Sequence, residues 1–268
     1  MPKRTTQKER LDYLVEAFKA DSGTYARIET PPDETEKRQL LRGLMNIRPP
    51  RAMSAETLKI QDEYLSERLR EQGAVTLADI PEIRPGLSLW QGDITRLQVD
   101  AILNAANSQM LGCFVPCHAC IDNCIHTFAG VQLRQACARQ MDQLRAEYGP
   151  GYEQPTAVPM LTEGFNLPAK HVIHIVGPIV TGPLTAAHER ALADCYKNTL
   201  DMCGEHGLRT LALCCLSTGV FRFPNRRAAE IAVSAVEGWL WEHPGQMDRV
   251  IFNVFKDEDK EIYEQLLR

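Results

Sequence analysis

The first eighty or so residues carry apolar side chains at helical spacing. In TQKERLDYLVEAFKA, Leu11, Leu14, Val15 and Phe18 fall on one face, and in ETEKRQLLRGLMNIR, Leu40, Leu41 and Leu44 do the same, which predicts two amphipathic helices. A third starts at Ser54 as N-cap, with Glu56 in its first turn, and runs to Gly73. Pro49, Pro50, Pro81 and Pro85 punctuate the segment. From about residue 87 the rhythm changes. Short apolar runs (LSLWQ, DAILNA, HVIHIVG, LRTLALC and DRVIFNV) alternate with helix-like stretches near 122–142, 186–206, 225–241 and 257–267. That alternation predicts an α/β layer fold with a largely parallel sheet, and a run such as LALCCL reads as a strand buried on both faces. The expected division is an N-terminal helical extension over residues 1–84 and an α/β domain over 85–268.

With 268 residues, 44% hydrophobic and 24% charged, the chain can bury a full core. A net charge of -5 gives no basic field to hold a phosphate backbone, so nucleic acid is not an expected partner, although a local anion site stays open. No apolar run is long enough to span a bilayer, so no membrane association is expected. The residues after Met1, PKRTTQKER, also lack the apolar core of a signal peptide, and a cytoplasmic location is expected. There the nine cysteines would stay reduced, which leaves metal binding, catalysis or burial as their uses.

In open α/β sheets ligands bind beyond the carboxyl ends of the strands, which singles out three loops. Ser217, Thr218 and Gly219 follow a buried strand and lead into a helix near Asn225, so N–H groups could converge there on a phosphate; the alternative is simple turn geometry. Asn104 and Asn107 in NAAN suit sugar hydroxyls or a positioned water, or tie down their own loop. Asp93 in GDIT could accept from an exocyclic amine, or close an Asx-type turn.

The third loop is the most unusual. GCFVPCHACIDNCIH, residues 112–126, holds four cysteines and two histidines. Cys113, Cys117, Cys120 and Cys124 also describe a helical stripe that burial alone would explain, although Pro116 opposes a continuous helix through Cys117. An iron–sulfur reading leaves His118 unexplained, and a thioredoxin-like reading of Cys117 to Cys120 lacks the fold.

QGDITRLQVDAILNAANS, EGFNLPAKHVIHIVGP and LCCLSTGVFRFPNRRAAEIA together resemble the macrodomain family, over roughly residues 85–268. The resemblance implies a three-layer α/β/α fold with a mixed, largely parallel sheet, and binding or hydrolysis of ADP-ribose. Where common hydrolytic members have a glycine-rich GGGGVDGAIH loop, this chain has the cysteine stretch. That replacement is similar to the zinc-dependent macrodomains of bacteria and fungi, with the signature GCF-x-P-x-H-x-C-I-D-N-x-I-H, matched here at every position.

By this resemblance Cys113, His118 and Cys120 would hold one zinc per chain, with Cys117 and Cys124 at variable positions. Three protein ligands and an open position form the catalytic arrangement. Asp122 would act on or orient the attacking water beside the distal ribose, together with Asn107, while an N-terminal helix acid is its bland alternative. His126 is expected to be a satisfied structural histidine. Adenine falls to Asp93 and Ile94, the diphosphate to Ser217, Thr218, Gly219, Val220 and Phe221, and close approach of the first loop to Gly112. Phe255 is expected as an adenine wall or a core aromatic, and Arg222 stands where a glycine is more usual. The implied activity is removal of mono-ADP-ribose from protein side chains, Asp or Glu, in functional company with a sirtuin-type ADP-ribosyltransferase and a lipoyl-carrier protein. The rivals are an ADP-ribose reader with structural zinc and an O-acetyl-ADP-ribose deacetylase.

Overall fold

A computed structural model describes residues 5–268. Residues 1–4, the start of both the expected extension and the segment read against a leader, lie outside the described residues. The three N-terminal helices form where the apolar stripes place them. Helix α1 (Gln7–Ser22) opens on a capping box between Thr6 and Glu9, and α2 (Glu34–Ile47) on Asp33. Helix α3 (Ala55–Gln72) opens on Ser54, whose Oγ accepts from Thr57 N at 3.1 Å, and stops at Gly73. Their stripes meet in a small core of Leu11, Leu14, Val15, Phe18, Leu41, Leu44, Met45, Tyr64 and Leu65, closed by Val131 from the α/β part.

Seven strands follow among the described residues: β1 (Glu82–Arg84), β2 (Leu87–Gln91), β3 (Ala101–Ala106), β4 (Met160–Glu163), β5 (His171–Val176), β6 (Thr210–Leu213) and β7 (Arg249–Val254). They form one sheet in the order β1-β2-β7-β6-β3-β5-β4. The five inner strands are parallel and the two edge strands antiparallel. The edge strands were not visible in the sequence: at three and four residues each is too short to show a period. Strand β1 also lies on the extension side of the boundary drawn at residue 85.

Ala101, Ile102 and Leu103 of β3 and Val172, Ile173 and Ile175 of β5 are fully buried, so helices cover both faces of the sheet and the architecture is a three-layer α/β/α sandwich. Burying each of the larger aliphatic side chains contributes about 1.5–3 kcal/mol. The covering helices are α4 (Ile121–Ala129), α5 (Val131–Tyr148), α6 (Ala186–Glu205), α7 (Asn225–Glu242) and α8 (Asp257–Leu266). The single helix expected near 122–142 is two, broken at Gly130. Its φ is +91°, a left-handed conformation that favours glycine, and the Gln61 amide of α3 packs directly against it, 2.6 Å from where a Cβ would stand. No described helix is long and apolar enough to cross a membrane.

Candidate functional site

Because the five inner strands run parallel, their carboxyl ends share one edge of the sheet. Asp93 follows β2, Asn107 follows β3, the 217–221 loop follows β6 and Phe255 follows β7, so the expected nucleotide residues gather on that edge. Asp93 is half-buried; its Oδ1 accepts from Thr95 N at 3.0 Å and Thr95 Oγ1 at 2.7 Å, capping the short 3-10 turn Ile94–Arg96. Asn107 is held at both ends of its amide: Nδ2 donates to Gly112 O at 3.3 Å and Oδ1 accepts from Gln109 N at 3.0 Å. Both residues thus close their own turns, and those bonds fix where the side chains stand.

The 217–221 loop is set by strain and by close approach. Ser217 has φ +64°, unusual for a side-chain-bearing residue, and its Oγ is buried without a hydrogen-bond partner among the described residues. Gly177, at the end of β5, faces that hydroxyl so closely that an added Cβ would sit 2.2 Å from it. Three carbonyls of the loop are tied: Ser217 O accepts from Phe223 N, Gly219 O from Arg222 N and Phe221 O from Val180 N. Val220 is 79% exposed and Phe255 77%, so Phe255 is not a core aromatic. Helix α7 begins just beyond the loop, at Asn225, and puts the positive end of its dipole toward the same edge.

Residues 113–120 form no helix, consistent with Pro116, and α4 starts only at Ile121. Cys113 Sγ lies 3.5 Å from His118 Nδ1, and the ligand atoms of Cys113, His118 and Cys120 all lie within 4.8 Å of one another. A donor set of two cysteine sulfurs and one imidazole nitrogen fits zinc. Cys120 is also the N-cap of α4, and its Sγ accepts from Asn123 N at 3.4 Å, a contact that favours the thiolate. Burial pushes its thiol up to about 12, against the pull of that bond. Coordination to a divalent cation reverses such a shift, since a coordinated thiol gives up its proton. Cys117 and Cys124 point elsewhere, the first toward Gln39 O and the second toward Arg42.

Behind this loop lies a buried polar network that the sequence did not reveal. Asn104, expected at the ligand edge, is instead fully buried, and its Nδ2 donates to Asp122 Oδ1 at 2.8 Å and meets His174 Nδ1 at 3.0 Å. Asn104 lies inside β3, where both faces are covered, and strand parity turns its side chain toward α4. His174 Nε2 meets Thr162 Oγ1 at 2.9 Å, so both its ring nitrogens are engaged, and burial lowers its pKa to about 3. Burial likewise raises the Asp122 carboxyl to about 6, against the lowering effects of Asn104 and Arg134. His126 is buried as expected but not satisfied: neither ring nitrogen has a hydrogen-bond partner among the described residues, and Asp122 Oδ1 stands 3.6 Å from Nε2. Gly112, expected to let the first loop approach a ligand, lies against this ring, with φ +79° and an added Cβ only 2.7 Å away.

Arg134 was also missed, since an arginine on an amphipathic helix reads as solvent-facing. It is buried, and its guanidinium donates to Leu111 O at 2.7 Å and Asn46 O at 2.7 Å while lying 4.1 Å over the Phe114 ring.

Comparison with known proteins places the chain among relatives of one fold. The Macro domain family model matches residues 103–232. A Treponema medium protein named protein-ADP-ribose hydrolase is 48% identical over 266 residues, covering 98% of this chain and 99% of its own. A Fusarium oxysporum protein named probable bifunctional ADP-ribose hydrolase/ADP-ribosyltransferase is 38% identical, over 98% of this chain and 47% of its own. The Trypanosoma brucei macrodomain solved in complex with ADP-ribose superimposes with a TM-score of 0.65 at 28% identity, covering 89% of this chain and 97% of that one. Matched to such relatives over almost its full length, and superimposing on a solved macrodomain, the chain belongs to the macrodomain family.

Proposed function

We propose that the chain is a zinc-dependent ADP-ribosyl hydrolase that removes mono-ADP-ribose from protein side chains, with Asp and Glu as the acceptors. The observation that carries this is the convergence of Cys113, His118 and Cys120 directly after the loop in which Gly112 O fixes the Asn107 amide. The name of the Treponema medium relative, matched over almost the whole chain, supports the hydrolase class. The fusion-sized Fusarium relative, named for both activities, supports a functional link to an ADP-ribosyltransferase.

In this reading Asp93 takes the adenine amine, beside the exposed Phe255 ring. N–H groups of residues 217–221 and the α7 N-terminus take the diphosphate. Asn107, already oriented, holds a distal ribose hydroxyl or the attacking water. Cys113, His118 and Cys120 would hold zinc, which supplies a Lewis-acid centre for an oxygen of the scissile region. Asp122, beneath the loop with its carboxyl raised to about 6, is suited to exchange a proton near neutral pH. Binding orients the sugar and fixed dipoles stabilise charge developing at its anomeric carbon or at the acyl carbon.

The test is release of ADP-ribose from a mono-ADP-ribosylated protein by the wild type and by Cys120→Ala. Release by the wild type that falls at least tenfold in the variant supports the reading. ADP-ribose binding without release identifies a reader, and turnover confined to O-acetyl-ADP-ribose identifies a deacetylase.

A further inference from the structure

The N-terminal helices have no assigned role, yet one face of α2 touches the metal loop along its length. Gln39, Arg42, Gly43 and Asn46 stand at i, i+3, i+4 and i+7, a single stripe of the helix. Cys117 Sγ meets Gln39 O at 3.3 Å, and Cys117 N donates to Asn46 Oδ1 at 2.9 Å. Arg42 Nη2 donates to His118 O at 2.8 Å and to Asn123 Oδ1 at 2.9 Å. Gly43 lies against Pro116, where an added Cβ would be 3.7 Å from Pro116 Cβ. From the other side Asn123 Nδ2 donates to Val115 O at 2.9 Å.

The loop needs this support. Residues 113–120 have no helix or strand of their own, and Cys117 sits at φ +53°, a left-handed conformation that a side-chain-bearing residue keeps only where its surroundings hold it. A loop of this kind does not by itself fix two thiolates and an imidazole at metal-binding separation. Arg134 of α5 steadies the Cys113 and Phe114 end of the loop, and the bonds that reach its His118 end come from α2 and from Asn123, which Arg42 joins.

We infer that α2 is part of the metal centre: Arg42, and with it Asn46, are positioning residues that set His118 relative to Cys113 and Cys120. The inference rests on the zinc reading above. It gives the N-terminal extension a function that the α/β domain cannot supply for itself. Arg42 is half-buried rather than core, so its loss leaves the small core of α1, α2 and α3 intact. The residues at the nucleotide edge, Asp93 and 217–221, make none of these contacts.

The test is metal affinity in the full chain, read by competition between the protein and a chromogenic chelator for zinc, for wild type, Arg42→Ala and Arg42→Lys. Removing a partner that orients a metal site typically weakens binding about 10–100-fold, and Arg42→Ala is expected to fall in that range. Arg42→Lys, which keeps one donor, is expected to recover part of the loss. The cobalt(II)-loaded alanine variant should show a shifted thiolate-to-metal absorption band, and ADP-ribose affinity should stay within about twofold of wild type. Should Arg42→Ala lose its fold, the lysine variant carries the comparison alone. Zinc affinity and cobalt spectrum unchanged in a folded variant would overturn the inference and leave the zinc reading standing. A wild type that binds no zinc would overturn both.

Discussion

Asn104 Nδ2 donates to Asp122 Oδ1 at 2.8 Å, with both side chains buried beneath the 113–120 loop. Burial drives the Asp122 carboxyl up, and this bond, together with the charge of Arg134, pulls it down. Replacing Asn104 with Leu should therefore destabilise the protein by about 1–3 kcal/mol, the cost of a buried polar group left without its partner. It should also raise the Asp122 pKa further. Urea unfolding and carboxyl carbon NMR titration check the two effects; an unchanged pKa would contradict the assignment.

Gly112→Ala should be strongly disruptive, because a left-handed φ and the His126 ring 2.7 Å from the new Cβ oppose it together. A loss of about 1–3 kcal/mol is expected. Adding His126→Ala relieves the contact but not the backbone strain, so the double variant should lose less than the sum of the two single losses. Strict additivity in a double-mutant cycle would show that the ring contact is not the cause.

His174 predicts an acid sensitivity with a definite sign. Its native pKa, lowered to about 3 by burial, lies below the 6.5 of an ordinary histidine, so as pH falls the unfolded chain binds the proton first and stability drops. Asp122 acts in the opposite direction: its raised carboxyl lets the native state hold a proton that the unfolded chain releases, which adds stability on acidification from about pH 6 toward 4. Comparing wild type with His174→Gln isolates the histidine. Between about pH 7 and 5 the metal-free wild type should lose about 2 kcal/mol more than the variant by urea unfolding. Parallel pH profiles would contradict this.

Ser217→Ala should separate stability from binding. The hydroxyl is buried with no partner among the described residues, so its removal should change stability by less than about 1 kcal/mol. If the hydroxyl bonds the diphosphate, ADP-ribose affinity should fall about tenfold, the equivalent of one hydrogen bond to a charged group. Isothermal titration that shows equal affinity would remove Ser217 from the site.

Much of this structure was legible in the sequence because burial leaves a period. Leu11, Leu14, Val15 and Phe18 marked α1, and LALCCL marked a strand covered on both faces. The residues at the sheet edge were legible through their motifs. What stayed hidden was whatever depends on contacts distant in sequence. The edge strands Glu82–Arg84 and Met160–Glu163 exist through pairing with β2 and β5, not through a pattern of their own. Asn104 looked like a ligand residue because NAAN sits at a strand end, and only the parity of β3 turns it inward to Asp122. Arg134 and Arg42 carry no local signal, since what matters is the carbonyls they reach: those of Leu111 and His118.

The central claim, that the Cys113, His118 and Cys120 loop is a catalytic metal centre of an ADP-ribosyl hydrolase, meets its most direct test in a zinc add-back. The metal-free chain is incubated with a mono-ADP-ribosylated protein while zinc is titrated in, and released ADP-ribose is measured at each step. Negligible release without metal is expected, with recovery that saturates at one zinc per chain. Full release by the metal-free protein, with no response to added zinc, would contradict it.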